Sequence, residues 1–227
     1  MVETTPPQDR RARIRPKLDG ADYIYGESGL LQILRQTDGM AWPYTPTINV
    51  AQQVDYSSYD PVHANQEFLT FSRTKAPQIT CVGAFTAQNK SEALYMLACV
   101  HFLRSVTKMD FGINADRPGT PPPILLFSAW GQFMFNDLPV VITNFTYDLP
   151  GDRDYVKVPI SAETERVFEN LQSPTTNNSS DTYVPTELNI AVTMTVQNSP
   201  KRQTNKFDLK SFKSGKLLRD SQTKGWI

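Results

Sequence analysis

The side chains that could do chemistry are few and scattered. Asp148, Asp152 and Asp154 place three carboxylates in one short loop, the kind of density at which oxygen ligands gather around a hard cation. Their spacing fits no EF-hand, and the adjacent Pro150-Gly151 gives them the ordinary role of turn formers. Glu163, Glu165 and Glu169 could supply the carboxylate pair of a glycoside hydrolase. They lie in a polar stretch, 161–183, where carboxylates are solvated. His63 follows a turn and has no motif around it; His101 falls on the polar side of a helical pattern, which suits a structural histidine better than a general base. Cys81 and Cys99 lack the close pairing with histidine that a zinc site needs. No glycine-rich phosphate loop precedes a helix, and no nucleophile elbow occurs. No catalytic, cofactor-binding or metal-binding residue is therefore assigned, and the chain reads as a non-enzyme without a cofactor.

The elements that would position any site are organised around one helix. Asn89 to Phe111 holds a long helical pattern free of Gly and Pro. Asn89 can cap its first turn, with Glu92 three residues later, and Gly112 stands where the helix should stop. At 100° per residue Tyr95, Cys99, Phe102 and Val106 fall in one stripe, with Met96 and Leu103 beside it. The opposite side carries His101, Arg104, Ser105 and Lys108. The apolar arc is too wide for a helix that merely rests on a surface.

The flanking stretches read as strands. Thr47 to Val54, Glu67 to Phe71, Ile79 to Phe85, Ile124 to Phe133, Val140 to Tyr147 and Tyr155 to Val158 carry alternation or high β-propensity. Asn136-Asp137 is a hairpin signal. Glu187 to Gln197 alternates most cleanly: Leu188, Ile190, Val192, Met194 and Val196 face one way, and small or polar residues face the other. Ala162 to Leu171 suggests a short helix within a long polar loop. The organisation expected is an extended N-terminal arm over 1–41, a β domain over 42–200 with the helix at 89–111, and a basic C-terminal arm over 201–227.

Lys and Arg equal Asp and Glu, so the chain has no net charge, which argues against a dedicated nucleic-acid binder. The balance is uneven: from Lys201 onward eight cations face two carboxylates, so the tail is +6 and the remainder −6. A basic tail on an acidic body is expected to lie on a partner or on a neighbouring copy. Arg11 and Arg13 in the N-terminal arm, Trp130 at a strand end, and Phe207, Phe212 and Trp226 in the tail are the candidate interface residues. Core packing is the plainer reading for the aromatic cluster Trp130, Phe133, Phe135, Phe145 and Tyr147. The two cysteines suit reduced core thiols, and neither a secretory signal nor a membrane span is read, which places the product in the cytoplasm where it is made.

Three segments carry a resemblance. Ile79 to Gly112 is the first. The second is Gly119-Thr-Pro-Pro-Pro-Ile-Leu-Leu-Phe-Ser-Ala-Trp-Gly, followed by Phe135-Asn-Asp-Leu-Pro-Val-Val-Ile and Tyr147-Asp-Leu-Pro. The third runs from Val184-Pro-Thr-Glu-Leu-Asn-Ile to Phe207-Asp-Leu-Lys-Ser-Phe-Lys-Ser-Gly. Together, over roughly Ala76 to Gly215, they resemble the baseplate proteins of contractile-tailed bacteriophages that join the central hub to the tail tube, the tube initiators. The arm before Trp42 lies outside the resemblance.

What the resemblance implies is a mainly β fold with one long flanking helix (β+α), its two antiparallel sheets packed as a sandwich or small barrel of tail-tube type. It implies a hexameric ring in the virion baseplate whose inner strands close into a continuous β-barrel. The partners would be further copies of the chain, the baseplate hub protein, the tail tube protein and wedge proteins. A membrane would play no part, and DNA would only pass through the lumen as cargo. Related readings are a major tail tube or tube terminator subunit. Readings of another class are a baseplate-associated peptidoglycan hydrolase and a nucleic-acid-binding module.

Overall fold

The computed structural model describes residues 11–17, 24–26, 29–63, 65–112, 117–158, 182–219 and 224–227. The first ten residues and the segment 159–181, with the short helix expected at Ala162–Leu171 and the glutamates Glu163, Glu165 and Glu169, lie outside the described residues. The chain is mainly β and its strands pair antiparallel. The strands are β1 (Arg13–Pro16), β2 (Met40–Ala41), β3 (Thr47–Ala51), β4 (Val54–Tyr59), β5 (Phe68–Thr74) and β6 (Gln78–Thr86). After the long helix come β7 (Leu125–Ala129), β8 (Phe135–Asp148), β9 (Tyr155–Val158), β10 (Thr182–Pro185) and β11 (Glu187–Val196).

Seven strands make one sheet in the order β2-β1-β7-β8-β11-β6-β3, and β4–β5 and β9–β10 form separate two-stranded ribbons. Strand β11 lies inside the sheet between β8 and β6, and its clean alternation reflects one buried face. Its residues Leu188, Ile190, Val192, Met194 and Val196 are buried, in register with Phe85, Cys81 and Ile79 of β6 on the same face. Phe127, Leu138 and Val140 extend that face across β7 and β8. The main β layer is thus a single large sheet covered on one face by helix, with the small β9–β10 ribbon packed on that helix.

Five helices occur among the described residues, not one: α1 (Gly29–Gln36), α2 (Lys90–Val106), α3 (Pro200–Lys206), α4 (Leu209–Lys213) and α5 (Lys216–Arg219). The long helix α2 begins where its cap predicts. The Asn89 side chain accepts from Glu92 N at 2.9 Å, and Glu92 reaches back to accept from Gln88 N at 2.8 Å. It ends at Val106, short of Phe111, because Thr107 takes over its last carbonyls: the Thr107 hydroxyl donates to Leu103 O and Arg104 O. Ala93, Met96, Cys99, Phe102, Leu103 and Val106 are buried, and Tyr95 is half-buried. The Tyr95 hydroxyl donates to Ala41 O and accepts from Ala41 N, each at 2.8 Å, which ties β2 to the helix. The wide apolar arc is explained by neighbours on several sides, since α2 packs on the sheet, on α1 and on the β9–β10 ribbon.

Within the stretch read as an N-terminal arm, β1 is a strand of the main sheet, paired with both β2 and β7. Ile14 and Leu34 are fully buried, so this region supplies core rather than an arm. Trp42, read as part of a connector, is also fully buried. It lies over Gly83, where an added Cβ would sit 2.5 Å from Trp42 Cδ1; glycine is what lets the indole rest on the strand.

The expected hairpin turn moves by several residues. Strand β7 stops at Ala129, because Trp130 and Gly131 take φ of 60° and 95° and turn the chain there. Asn136-Asp137 falls inside β8, although Asp137 keeps a left-handed φ of 50°.

Candidate functional site: a basic, aromatic end of the sheet

Alternation along β1 sends Ile14 and Pro16 to the core and Arg13 and Arg15 to the outer face. On neighbouring strands the same face presents Ser128 and Asp137. One guanidinium nitrogen of Arg15 donates to both Asp137 oxygens, at 2.9 and 3.0 Å. Ser128 Oγ donates to Asp137 Oδ1 at 2.7 Å, and Lys224 Nζ binds Oδ2. Burial works against ionisation of Asp137, but the hydrogen bonds from Lys224, Ser128 and Arg15 outweigh it and hold the carboxyl at about 2. Asp38 adds a second bridge, accepting from Arg13 at 3.4 Å and Arg15 at 3.3 Å. Arg11, Arg13 and Arg15 line a cleft of about 240 Å³ whose far wall is the Gly131-Gln132 turn.

The C-terminal stretch does not extend from the body but folds back over this end. Ser199 caps α3 with Pro200 in its first turn, and Asp208 caps α4 by accepting from Lys210 N and Ser211 N. Asn136 Nδ2 donates to Leu218 O at 2.9 Å, which fastens α5 to the start of β8. Gly225, at φ 98°, passes between the Arg202 guanidinium and the backbone of Asp137, where no side chain fits. Trp226 is 8% exposed, 5.1 Å from the Phe207 ring, with Arg202 over its face at 5.2 Å. Arg202 also donates to Lys224 O. Phe207 lies 5.9 Å from Phe212, and Arg219 stacks 5.6 Å over Phe133.

All six candidate interface residues thus come to one end of the sheet, in two roles. Trp226 is packed inside its own chain. Arg11, Phe207 and Trp130, the last 56% exposed, face solvent, while Arg13 and Phe212 are half-buried. Beside Trp130 on the same turn, Phe133 and Met134 are also exposed. Helices α3 to α5 add exposed Lys201, Lys206, Lys210, Lys213, Lys216 and Arg219. Counting these with Arg11, Arg13, Arg15, Arg202 and Lys224, eleven cations share this end with Asp38, Asp137 and Asp208 among the described residues.

Among the described residues, those weighed for chemistry do not converge. Asp148, Asp152 and Asp154 are all exposed. Among the described residues no three His, Cys, Asp or Glu side chains cluster as metal ligands would. Burial first, then Arg104, pushes His101 below its usual value; His63 sits exposed at a left-handed turn position. Cys81 and Cys99 are free and buried, and burial pushes the Cys81 thiol up to about 12, so neither has the character of a nucleophile. Of the aromatic cluster, Phe135 is buried against Phe127 at 5.3 Å, and Phe145 stacks with Tyr147 at 6.3 Å.

Two further surfaces stand out. Strands β3 and β6 pair in the sheet, and the chain between them continues outward as the β4–β5 ribbon. Every residue of β5 is exposed. In the ribbon's register Tyr56 lies opposite Phe71, with rings in edge contact at 6.0 Å, and Leu69 is on the same face. The second surface is the outer sheet face beyond the C-terminal cap. Asn49, Thr80, Thr193 and Asn144 form one row across four strands, and Thr47, Val82, Ala191 and Thr146 form the next. These side chains are small, mostly polar and uncharged. The expectation of a polar β11 face anticipated this surface, whereas the ribbon's isolation and the Asp137 clamp were not anticipated. Tyr56, Leu69 and Phe71 alternate on strands that a turn joins, which is a signal for a ribbon, but nothing in spacing says that it lacks a second layer among the described residues.

No protein-family model matches the chain, and no curated protein matches it.

Proposed function

We propose that this chain is a structural subunit of a contractile phage tail, six copies of which form a ring that joins the baseplate hub to the tail tube and starts tube polymerisation. The observation that carries this reading is the β4–β5 ribbon. An isolated two-stranded ribbon is marginal in water, and this one holds Phe68, Leu69 and Phe71 at 54–62% exposure. A neighbouring copy would supply the missing layer. Strand β3 is an open edge of five residues beside the ribbon's base, so the same neighbour could extend the sheet. Because one copy gives ribbon and edge while the next receives them, the contact is heterologous and closes into a ring when its rotation allows.

The outer sheet face supports the same reading. Its rows of Thr, Asn, Ala and Val carry no cation over β3, β6, β11 and the second half of β8. A lumen surface of that kind would not hold DNA phosphates by counterion release, so DNA could pass. The tail-tube architecture belongs to this proposal, as do the virion location and the hub, wedge and tube partners. No described helix is long and apolar enough to cross a membrane.

The test is the paired variant Leu69→Ser with Phe71→Ser. Both side chains are exposed in the single chain, so its circular dichroism and melting curve should match the parent. Its ring formation should be lost. A variant that assembles like the parent would remove the ribbon as the assembling element.

A further inference from the structure

The stretches 11–17 and 201–219 are each rich in Lys and Arg, and the fold brings them to one surface. Two clefts meet there. The first, of about 240 Å³, is lined by Arg11, Arg13 and Arg15; the second, of about 420 Å³, by Lys201, Arg202 and Lys206. Lys224 and Asp137 line both, so they stand at the junction of the two. An exposed aromatic ring stands by each cleft. Trp130 adjoins Gly131 and Gln132 in the wall of the first, and Phe207 follows Lys206 of the second. On the same turn as Trp130, the exposed Phe133 carries the Arg219 guanidinium over its ring. Asp38 and Asp137 are committed to arginine and lysine within the chain, and Asp208 to capping α4. Against these three carboxylates the described cations of the surface, among them the exposed Lys201, Lys210, Lys213 and Lys216, are in clear excess.

We propose that this surface binds single-stranded nucleic acid, with the phosphates along the paired clefts and the bases against Trp130, Phe133 and Phe207. The excess of cations selects a polyanion. The rings select which polyanion: a splayed base has a flat face that stacks on an aromatic ring or on a guanidinium plane. A duplex keeps its bases inside and offers these rings nothing. An acidic polypeptide would use the cations but brings no base to stack. The neutrality of the whole chain argues against nucleic acid only as a global charge; the excess here is local. This inference does not depend on ring formation, because every residue it uses belongs to one chain. The surface also lies apart from the uncharged rows of Thr, Asn, Ala and Val on the same sheet face.

The test is fluorescence anisotropy of a labelled oligothymidylate strand titrated with the full chain over a range of salt concentrations. A labelled duplex of equal length and unlabelled polyglutamate as competitor are measured alongside. The strand should bind more tightly than the duplex, and polyglutamate at equal charge should not displace it. Lys201→Gln with Lys206→Gln should weaken strand binding about tenfold at about 0.1 M salt. It should also lower the slope of log K against log salt by about 1.4, since each lost phosphate contact removes about 0.7. Trp130→Asn keeps a residue that tolerates the left-handed backbone at φ 60°. It should weaken strand binding at least about fivefold and leave the salt slope unchanged. General damage to the fold would not divide the two variants in this way, and circular dichroism checks that each is folded. Absence of strand binding at low salt overturns the proposal, and so does a lysine variant that binds like the parent. Equal binding of strand and duplex, with Trp130→Asn without effect, overturns it in favour of a plain cationic patch. Displacement of the strand by polyglutamate at equal charge overturns it in favour of an acidic protein partner.

Discussion

Arg15 and Asp137 are 122 positions apart in the chain and 2.9 Å apart in space. The pair joins β1 to the first residues of β8, and Lys224 completes it from the C-terminal stretch. One carboxylate therefore holds both ends of the chain on the sheet. It is 12% exposed, so solvent screens it little. The surface that carries the basic charge stays in place because Asp137 neutralises its innermost members.

Asp137→Asn should cost about 2–3 kcal/mol. Breaking a buried pair costs up to about 5 kcal/mol, and the partial exposure of Arg15 and Lys224 lowers that figure. Urea unfolding of parent and variant measures it. A midpoint unchanged within error would mean that the clamp is a geometric coincidence.

The same carboxylate sets an acid limit. Its folded value of about 2 lies below the unfolded aspartate value of about 3.9. Its contribution is fully present above pH 4 and is lost as pH falls toward 2, because the unfolded chain takes up the proton first. Between pH 4 and pH 2 the parent should lose stability more steeply than Asp137→Asn. Parallel curves would contradict this.

Gly83→Ala should destabilise by about 1–3 kcal/mol, since the new methyl meets Trp42 at 2.5 Å and Trp42 is fully buried. Val82→Ala, one residue away on the outer face, should shift stability by no more than about 0.5 kcal/mol. Thermal melts of the two variants compare the covered face of β6 with its open face. Equal shifts would mean that the faces are misassigned.

Phe102→Ala should cost about 3–5 kcal/mol, because its ring is fully buried in the middle of α2 and stacks 6.4 Å from Tyr25. Chemical denaturation reads the loss. A cost under about 1 kcal/mol would show that the stripe is not core.

Periodicity carried most of the fold. The stripe on α2 and the alternation of β11 and β6 are local patterns imposed by burial on one side, so they can be read without knowing the neighbour. The end of α2 was legible only in part. Gly112 looks like the stop signal, yet the Thr107 hydroxyl ends the helix five residues earlier through side-chain bonds that compete with the backbone. Asn136-Asp137 misled for a related reason. The dipeptide favours left-handed backbone, and Asp137 adopts it, but the turn forms at Trp130-Gly131 where two residues do so in succession.

The folding back of the C-terminus was hidden because its anchors are distant in sequence. Gly225 fits only against Arg202 and Asp137, and no spacing rule joins those three positions. The grouping of Arg11, Trp130 and Phe207 at one end follows from strand order, which charge and composition do not encode. The individual residues were recognisable as surface anchors by type; their meeting was not.

The most direct measurement is the mass and symmetry of the purified chain in solution, by light scattering and negative-stain imaging, alone and mixed with the hub and tube proteins that the proposed function names. The account predicts six-fold rings, formed either alone or on the hub, and tube growth from one side of them. A chain that remains monomeric in every mixture, with its ribbon uncovered, would contradict it.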